Sequence, residues 1–391
     1  MTTFLYQLIL LLPSLVFLFI SLNMKKKKLT RNYFPFVSVI SWTWKGGNII
    51  ERKIKNFLSL NYPGKYEVII VDNASEDETK EICEKYAKKG LIKFYRTKRP
   101  YDRKAYGLDK AIKKIAKGEI LAMTDPDGVC EKDWLLKLVQ PFKDSKVGAV
   151  IGLTHCGNFY ENLFTRFRAI EDEWVYVISP LGRNFGRSFH LVCGANYAVR
   201  KKALEQVGYH GKKTLGEDLE LTLKLYYKGW EVEVADANVW QEEVSSIREY
   251  ERQRLRWIDS TIRAFKIYRK KFNKIYKQRP LGVFLYFLSN SLTTFSLFYF
   301  LLIFLGFIKS WLLIPGVFGF FVINLSVIIG LAKEKRNHLI KFVPLFLIVD
   351  SLLLWYCALK RWVIVNLQKK KIVWKVLSDR YYHKGSKIVK K

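Results

Sequence analysis

The sequence predicts an α/β domain built on a mostly parallel, Rossmann-like sheet and joined to an α-helical membrane region. From Phe36 onward, short β-rich runs apolar on both faces alternate with amphipathic helical stretches, the pattern of a parallel sheet covered on both sides. Apolar stretches long enough to cross a bilayer stand near both ends of the chain. At 391 residues there is room for one domain of about 250 residues plus those spans.

Phe4 to Leu22 is uncharged, apolar and followed at once by Lys25-Lys26-Lys27-Lys28. The length of the run, the basic cluster after it and the lack of a small-residue cleavage site predict a retained anchor over residues 1–24, not a cleaved leader. Residues 25–280 then form a cytoplasmic domain. Its strands are expected at 36–41 (FVSVIS), 66–72 (YEVIIVD), 91–96 (LIKFYR), 119–124 (EILAMT) and 147–153 (VGAVIGL). Helices are expected from Ile49 to Leu60, Glu76 to Lys89, Arg103 to Lys117 and Lys132 to Phe142. Ligands of such sheets sit beyond the carboxyl ends of the strands, where Asp72 and Asp125 fall. Past residue 160 the chain reads as aromatic-rich, mixed helix and loop, suited to a second half that receives an acceptor, and closes in a charged stretch from Arg248 to Gln278.

Residues 281–366 supply about three spans: Leu281 to Ile308, Trp311 to Ala332, and Phe342 to about Val365. Lys309-Ser310 makes the first two a hairpin. With Lys28 cytoplasmic, a fully crossing third span would put the basic tail, 367–391, outside, against the positive-inside rule. Either the segment containing Pro344 and Asp350 is re-entrant or interfacial, or the tail is an exception. Asp350 is expected to be buried and partnered, or to mark a helix end near the interface.

The formal charge of +32, from 67 Lys and Arg against 35 Asp and Glu, calls for an acidic partner: nucleic acid, anionic lipid or phosphorylated substrate. Much of it lies beside the apolar segments, so anionic headgroups explain it and no nucleic-acid partner is expected. Five cysteines and five histidines are scattered without paired spacing, which argues against a disulfide framework, a zinc site or a Cys/His nucleophile.

Four acidic or cationic groupings carry candidate chemistry. Asp125-Pro126-Asp127-Gly128 sets two carboxylates at alternate positions of a tight turn, hard oxygen ligands suited to Mg²⁺ or Mn²⁺, though the same residues also make an ordinary β-turn. Asp72 ends a strand where a nucleoside can bind, while Ser75 and Asp77 serve to cap the next helix. Asn73-Ala74-Ser75 is also a glycosylation sequon, discounted for a cytoplasmic cleft. Glu217-Asp218 opens a helical stretch; Asp218 is the candidate base for an acceptor hydroxyl, and an acidic pair at a helix N-terminus is the alternative. Gln253, Arg256 and Trp257 share a helical face that offers a cation to a diphosphate and a ring to a sugar, or anchors an interfacial helix in lipid.

In this order, the series Asp72, Asp125/Asp127, Glu217/Asp218 and Gln253-x-x-Arg256-Trp257 resembles the membrane glycosyltransferases of family 2 and its relative, family 21, which share the GT-A fold. Arg103-Lys104-Ala105 resembles a segment whose Lys approaches the donor diphosphate. Cys193-Gly194-Ala195-Asn196, with Arg200-Lys201-Lys202-Ala203-Leu204, resembles the acceptor-side region. The resemblance spans residues 36 to about 260. It implies an inverting hexosyltransferase that uses a nucleotide-diphosphate sugar, expected to be UDP-linked, and Mg²⁺ or Mn²⁺ held by Asp125 and Asp127. Thr43, Asp72, Lys104 and Arg256 would hold the donor, and Cys193, Gly194, Gln253 and Trp257 the acceptor. Glu217 and Asp218 would be catalytic. Where many family members carry an acidic residue after the first strand, this chain reads Trp42-Thr43-Trp44-Lys45-Gly46; the Lys-Gly resembles ceramide glucosyltransferases, as do Trp374-Lys375 and Arg380-Tyr381. The expected acceptor is a lipid or lipid-linked glycan at the membrane, because few intramembrane polar groups are present to line a polymer channel. A processive synthase of the hyaluronan, cellulose or chitin kind and a membrane-tethered polyanion binder are the alternatives.

Overall fold

A computed structural model of the chain describes residues 2–26, 32–101, 103–185, 187–370 and 372. Lys27, Lys28 and the tail residues Trp374, Lys375, Arg380 and Tyr381 lie outside the described residues.

Eight strands form one sheet: β1 (Val37–Thr43), β2 (Tyr66–Asp72), β3 (Lys93–Arg96), β4 (Ile120–Thr124), β5 (Val129–Cys130), β6 (Val147–Cys156), β7 (Asn196–Arg200) and β8 (Glu231–Gln241). Their order is β3-β2-β1-β4-β7-β6-β8-β5. The predicted strands are β1 to β4 and β6. β1 to β4 run parallel, as the apolar runs joined by helices require. The half read as helix and loop in fact joins the same sheet. β7 inserts antiparallel between β4 and β6, and β8 runs parallel to β6. β8 escaped notice because its buried pairs, Val232/Val234 and Ala237/Val239, are out of phase across a register shift and separated by polar residues.

Helices of the domain are α1 (Thr2–Leu22), α2 (Ile50–Leu58), α3 (Thr79–Lys88), α4 (Lys104–Ile115), α5 (Trp134–Val139), α6 (Leu163–Asp172), α7 (Ser179–Gly182), α8 (Lys201–Gln206) and α9 (Glu217–Tyr227). They continue as α10 (Ile247–Ile267), α11 (Arg269–Gln278), α12 (Pro280–Ser289), α13 (Leu292–Gly306), α14 (Leu313–Lys333) and α15 (Val343–Trp362). Alternate residues of the sheet feed its two faces: Ile69, Val71, Leu121 and Met123 pack with Leu108, Ile112 and Leu223, whereas Val68, Ile70, Ile120 and Ala122 pack with Ile54, Phe57 and Trp134.

A third apolar cluster, including Phe17, Trp174, Tyr299, Ile323 and Phe346, ties α1, α13, α14 and α15 to a π-helical turn, Glu173–Ile178, that extends α6. Among the described residues three helical segments are long and apolar enough to cross a membrane, or four if α12 and α13 count as one. The single span expected over Leu281 to Ile308 is broken: α12 and α13 meet at 63°. At the break Asn290 Nδ2 donates to the Tyr286 carbonyl and Ser291 Oγ to that of Phe287, both at 2.8 Å, local bonds that compete with a continuous helix. α15 lies beside α10, joined by Tyr250 to Asp350, Lys360 to Glu251 and Arg361 to Asp259. Asp350 is therefore buried and partnered, one of the two positions expected for it.

Candidate active site

A cavity of about 660 Å³ opens past the carboxyl end of β4, walled by the start of α9 and one face of α10, and continues against α12, α13 and α15. Ten of the twelve predicted site residues line it: Lys104, Asp125, Asp127, Cys193, Gly194, Glu217, Asp218, Gln253, Arg256 and Trp257. Thr43 and Asp72 do not.

The acidic turn is held from behind. Gly128 N donates to the Asp125 carbonyl at 3.2 Å, and a Cβ on Gly128 would come within 2.8 Å of Thr124 Oγ1, so the turn needs glycine. Lys53, buried beneath it, donates to the Gly128 carbonyl at 2.6 Å; burial draws its pKa down. Asp127 is 5% exposed, and its Oδ2 accepts from Glu242 N at 3.2 Å. Asp125 Oδ1 meets Lys104 Nζ at 2.5 Å, and the same ammonium donates to the Gly194 carbonyl at 3.2 Å. Burial lowers the Lys104 pKa, but Asp125, Glu217 and Asp218 outweigh it and hold it above the usual value.

Two residues expected on the donor side are turned away from the cavity. Thr43 is fully buried because strand alternation turns it away from the cavity, and its neighbours Trp42 and Trp44 line it instead. Gly46 follows because a Cβ there would lie 2.2 Å from Thr43 Oγ1. Asp72 is also fully buried: its carboxylate accepts from Ser75 N at 3.1 Å, from Ser75 Oγ at 2.5 Å and from Arg96. Burial nevertheless raises its pKa. Its side chain organises the loop after β2 and presents no surface to the cavity. Asp77 stands one residue before the Glu78 N-cap of α3, and its carboxylate takes Thr79 N at 3.2 Å and also Gly47 N at 2.9 Å.

Glu217 and Asp218 form the first turn of α9, where carboxylates complement the helix dipole. Asp218 Oδ2 accepts from Gly194 N at 3.1 Å. The preceding loop is pinned by Glu220, which takes Thr214 N at 2.5 Å and Tyr268 Oη at 2.7 Å. Burial, then the charge of Asp218, raises the Glu217 pKa against the pull of Lys104 and Arg256. Burial pushes the Cys193 thiol up to about 12, which leaves it protonated and unsuited to nucleophilic work.

α10 starts at the Ser246 cap, whose side chain accepts from Glu249 N. Arg256 Nη1 reaches the Leu215 carbonyl at 3.4 Å, and the Gln253 Oε1 atom is buried with no hydrogen-bond partner among the described residues. Sequence reading missed the buried ion network behind this face. Arg254 pairs with Glu171 and stacks 4.5 Å over Trp257, while Arg168 holds Glu171, Asp172 and Glu243. Burial and the Glu243 charge raise Asp172 well above the carboxylate range. An arginine repeated among apolar residues on α6 and α10 was the available signal, but it reads equally as a solvated charge.

Residues 38–208 match the family described as Glycosyl transferase family 2. A probable glycosyltransferase of Bacillus subtilis, YdaM, is 28% identical over 348 residues, 83% of this chain and 82% of its own. A beta-monoglucosyldiacylglycerol synthase of Nostoc sp. is 31% identical over 231 residues, 58% of this chain; the chain spans about half of its length, 48%. A structure of the Pyrobaculum calidifontis mannosyltransferase PcManGT, in complex with GDP-Man and Mn²⁺, superposes with a TM-score of 0.55 over 92% of this chain and 96% of that one, at 20% identity. Sequence and fold together make this a glycosyltransferase-like domain of the GT-A type, carried by a multi-pass membrane protein.

Proposed function

We propose that the chain is a cation-dependent, inverting glycosyltransferase that moves a sugar from a nucleotide-diphosphate donor to a lipid acceptor at the cytoplasmic membrane face. What supports this most is the continuity of one cavity from Asp125, Asp127 and Asp218 to the apolar helices α12, α13 and α15. The named activities of the Nostoc synthase and of the mannosyltransferase agree with it.

Two carboxylates on one rigid turn, with Asp127 fixed by Glu242 N, fit Mg²⁺ or Mn²⁺, which bind through one or two carboxylates plus phosphate oxygens. Among the described residues there is no group of three or more His, Cys, Asp or Glu that would hold a metal alone, so donor oxygens would complete the set. Bound there, the cation supplies charge neutralisation to the departing diphosphate. Lys104 and Arg256 add fixed positive charge to the same wall. Asp218 takes the proton of the acceptor hydroxyl as its oxygen bonds to the anomeric carbon, and the bond from that carbon to the diphosphate oxygen breaks with its electron pair. Gly194 N orients the base. Trp257 closes the sugar site with its ring.

Product size tests the reading. Full-length enzyme with Mn²⁺ and a set of UDP- and GDP-sugars, in phosphatidylcholine vesicles doped with hydroxyl-ended and phosphate-ended lipids, should label a lipid with one sugar. A ladder of long water-soluble oligomers would favour a processive synthase. Salt-sensitive DNA binding with no turnover of any donor would favour the polyanion binder.

A further inference from the structure

One cation on the cavity wall has no part in the chemistry described above. Arg254 is 7% exposed, lines the cavity, and stands on α10 between Gln253 and Arg256. Helical spacing puts Tyr250 four residues before it and Trp257 three residues after it, on the same face. Its guanidinium lies 4.7 Å from the centre of the Tyr250 ring and 4.5 Å from that of Trp257. A guanidinium over an aromatic face is attracted by the ring quadrupole, most strongly by Trp and more so where water is excluded.

A second set of contacts fixes the guanidinium itself. Its Nη2 donates to Glu171 on α6, and the same carboxylate takes Nη1 of Arg168. Arg168 is 1% exposed and also meets Asp172 and Glu243, both at 3.3 Å. It lies 5.5 Å from the Tyr250 ring. A buried ion network adds little net stability, because lost hydration offsets most of the attraction between its members. What it can contribute is a fixed geometry.

That geometry joins two walls of the cavity. Glu171 lies two residues before the π-helical turn Glu173–Ile178, whose Trp174, Val175 and Tyr176 line the cavity, as Trp257 does from α10. Arg254 is the side chain that bridges them.

We infer that Arg254, clamped by Glu171, is a positioning residue for the transfer: it holds the Trp257 ring in place and acts on the reaction through that ring. This rests on the transfer reaction proposed above and adds a residue to it. A lysine would not replace it, because a compact ammonium does not offer a planar face to a ring while its edge reaches a carboxylate.

The first measurement needs no substrate. Full-length protein labelled with 5-fluorotryptophan, in detergent, gives a fluorine line for Trp257 that is identified by its loss in Trp257→Phe. Arg254→Met should broaden or split that line as the ring gains freedom. Arg254→Met combined with Glu171→Gln, which leaves no charge without its partner at this contact, should do the same and covers the case in which the single variant does not fold. A Trp257 line as narrow as in the parent overturns the inference.

The second measures transfer in phosphatidylcholine vesicles doped with dioleoylglycerol and undecaprenyl phosphate, with Mn²⁺ and the donor that turns over. Arg254→Met should lower kcat/KM for the labelled lipid about tenfold, with the calorimetric Kd for the donor within about twofold. Arg254→Lys should recover little of this. In a Trp257→Phe background Arg254→Met should cost about threefold or less, since a phenyl ring attracts the cation more weakly. The same tenfold loss in both backgrounds, or an equal loss of donor affinity, overturns the inference. A parent protein that labels no lipid overturns the transfer reading instead, and the fluorine line then decides by itself whether Arg254 holds the ring.

Discussion

Gly194 N donates to Asp218 Oδ2 at 3.1 Å while the Gly194 carbonyl accepts from Lys104, which in turn meets Asp125. One residue of the loop before β7 thus links the candidate base to the candidate cation turn. The two carboxylate groups are joined through the Gly194 peptide groups and the Lys104 ammonium.

Asp218→Asn should lower kcat by about a thousandfold, since a general base contributes on that order, while nucleotide-sugar binding survives. Steady-state kinetics paired with calorimetric donor titration checks both halves. Equal loss of binding would show that Asp218 holds the donor and is not the base.

Arg256→Ala should reduce donor affinity and kcat together, by about tenfold or more in kcat/KM, and Arg256→Lys should restore little, because an ammonium does not reproduce a planar guanidinium. Unchanged kinetics in both variants would leave α10 as a membrane anchor alone.

Glu217 supplies a pH test. Its folded pKa is raised, so the folded state favours the proton; that contribution to stability is fully present below the unfolded value near 4.5 and is lost as pH rises through the folded one. Ionised Glu217 therefore costs stability at neutral pH. Glu217→Gln, which never ionises, should melt higher than the parent at pH 7, with the difference shrinking as pH falls toward 4.5. A gap that is constant or widens on acidification would contradict this.

Tyr250 Oη donates to Asp350 Oδ1 at 2.9 Å in a buried setting that joins α10 to α15. Tyr250→Phe leaves the carboxylate short of a donor and should cost about 1–3 kcal/mol. Thermal melting in detergent reads it out, and Tyr250→Phe combined with Asp350→Asn should recover part of the loss. No change in melting would mean the bond adds nothing to the junction.

The parallel core was legible because β1, β2, β4 and β6 are short apolar runs divided by amphipathic helices, a signal local to each segment. β8 was not, since a register shift breaks its period two between Val234 and Ala237. The kink at Asn290 was hidden inside an apolar stretch whose length suggested one span. For the site, motif order assembled ten residues that do share a cavity, but it could not tell which face of β1 looks into it. That cost Thr43 its place and concealed Trp42 and Trp44. Asp72 was placed correctly at a strand end, yet its partners Ser75 and Arg96 lie in the next loop and strand, and only tertiary structure shows the carboxylate turned inward. The Arg168 and Arg254 network escaped for a similar reason: burial of a charge is a property of neighbours that are distant in sequence.

The central claim, that Asp125 and Asp127 form a cation-dependent donor site facing Asp218 and α10, is tested most directly by calorimetric titration of UDP- and GDP-sugars into the full-length protein with Mn²⁺ and with EDTA. Binding in Mn²⁺ that is lost in EDTA, and lost again in Asp127→Ala, is the predicted result. Donor binding that survives both chelation and Asp127→Ala would contradict it.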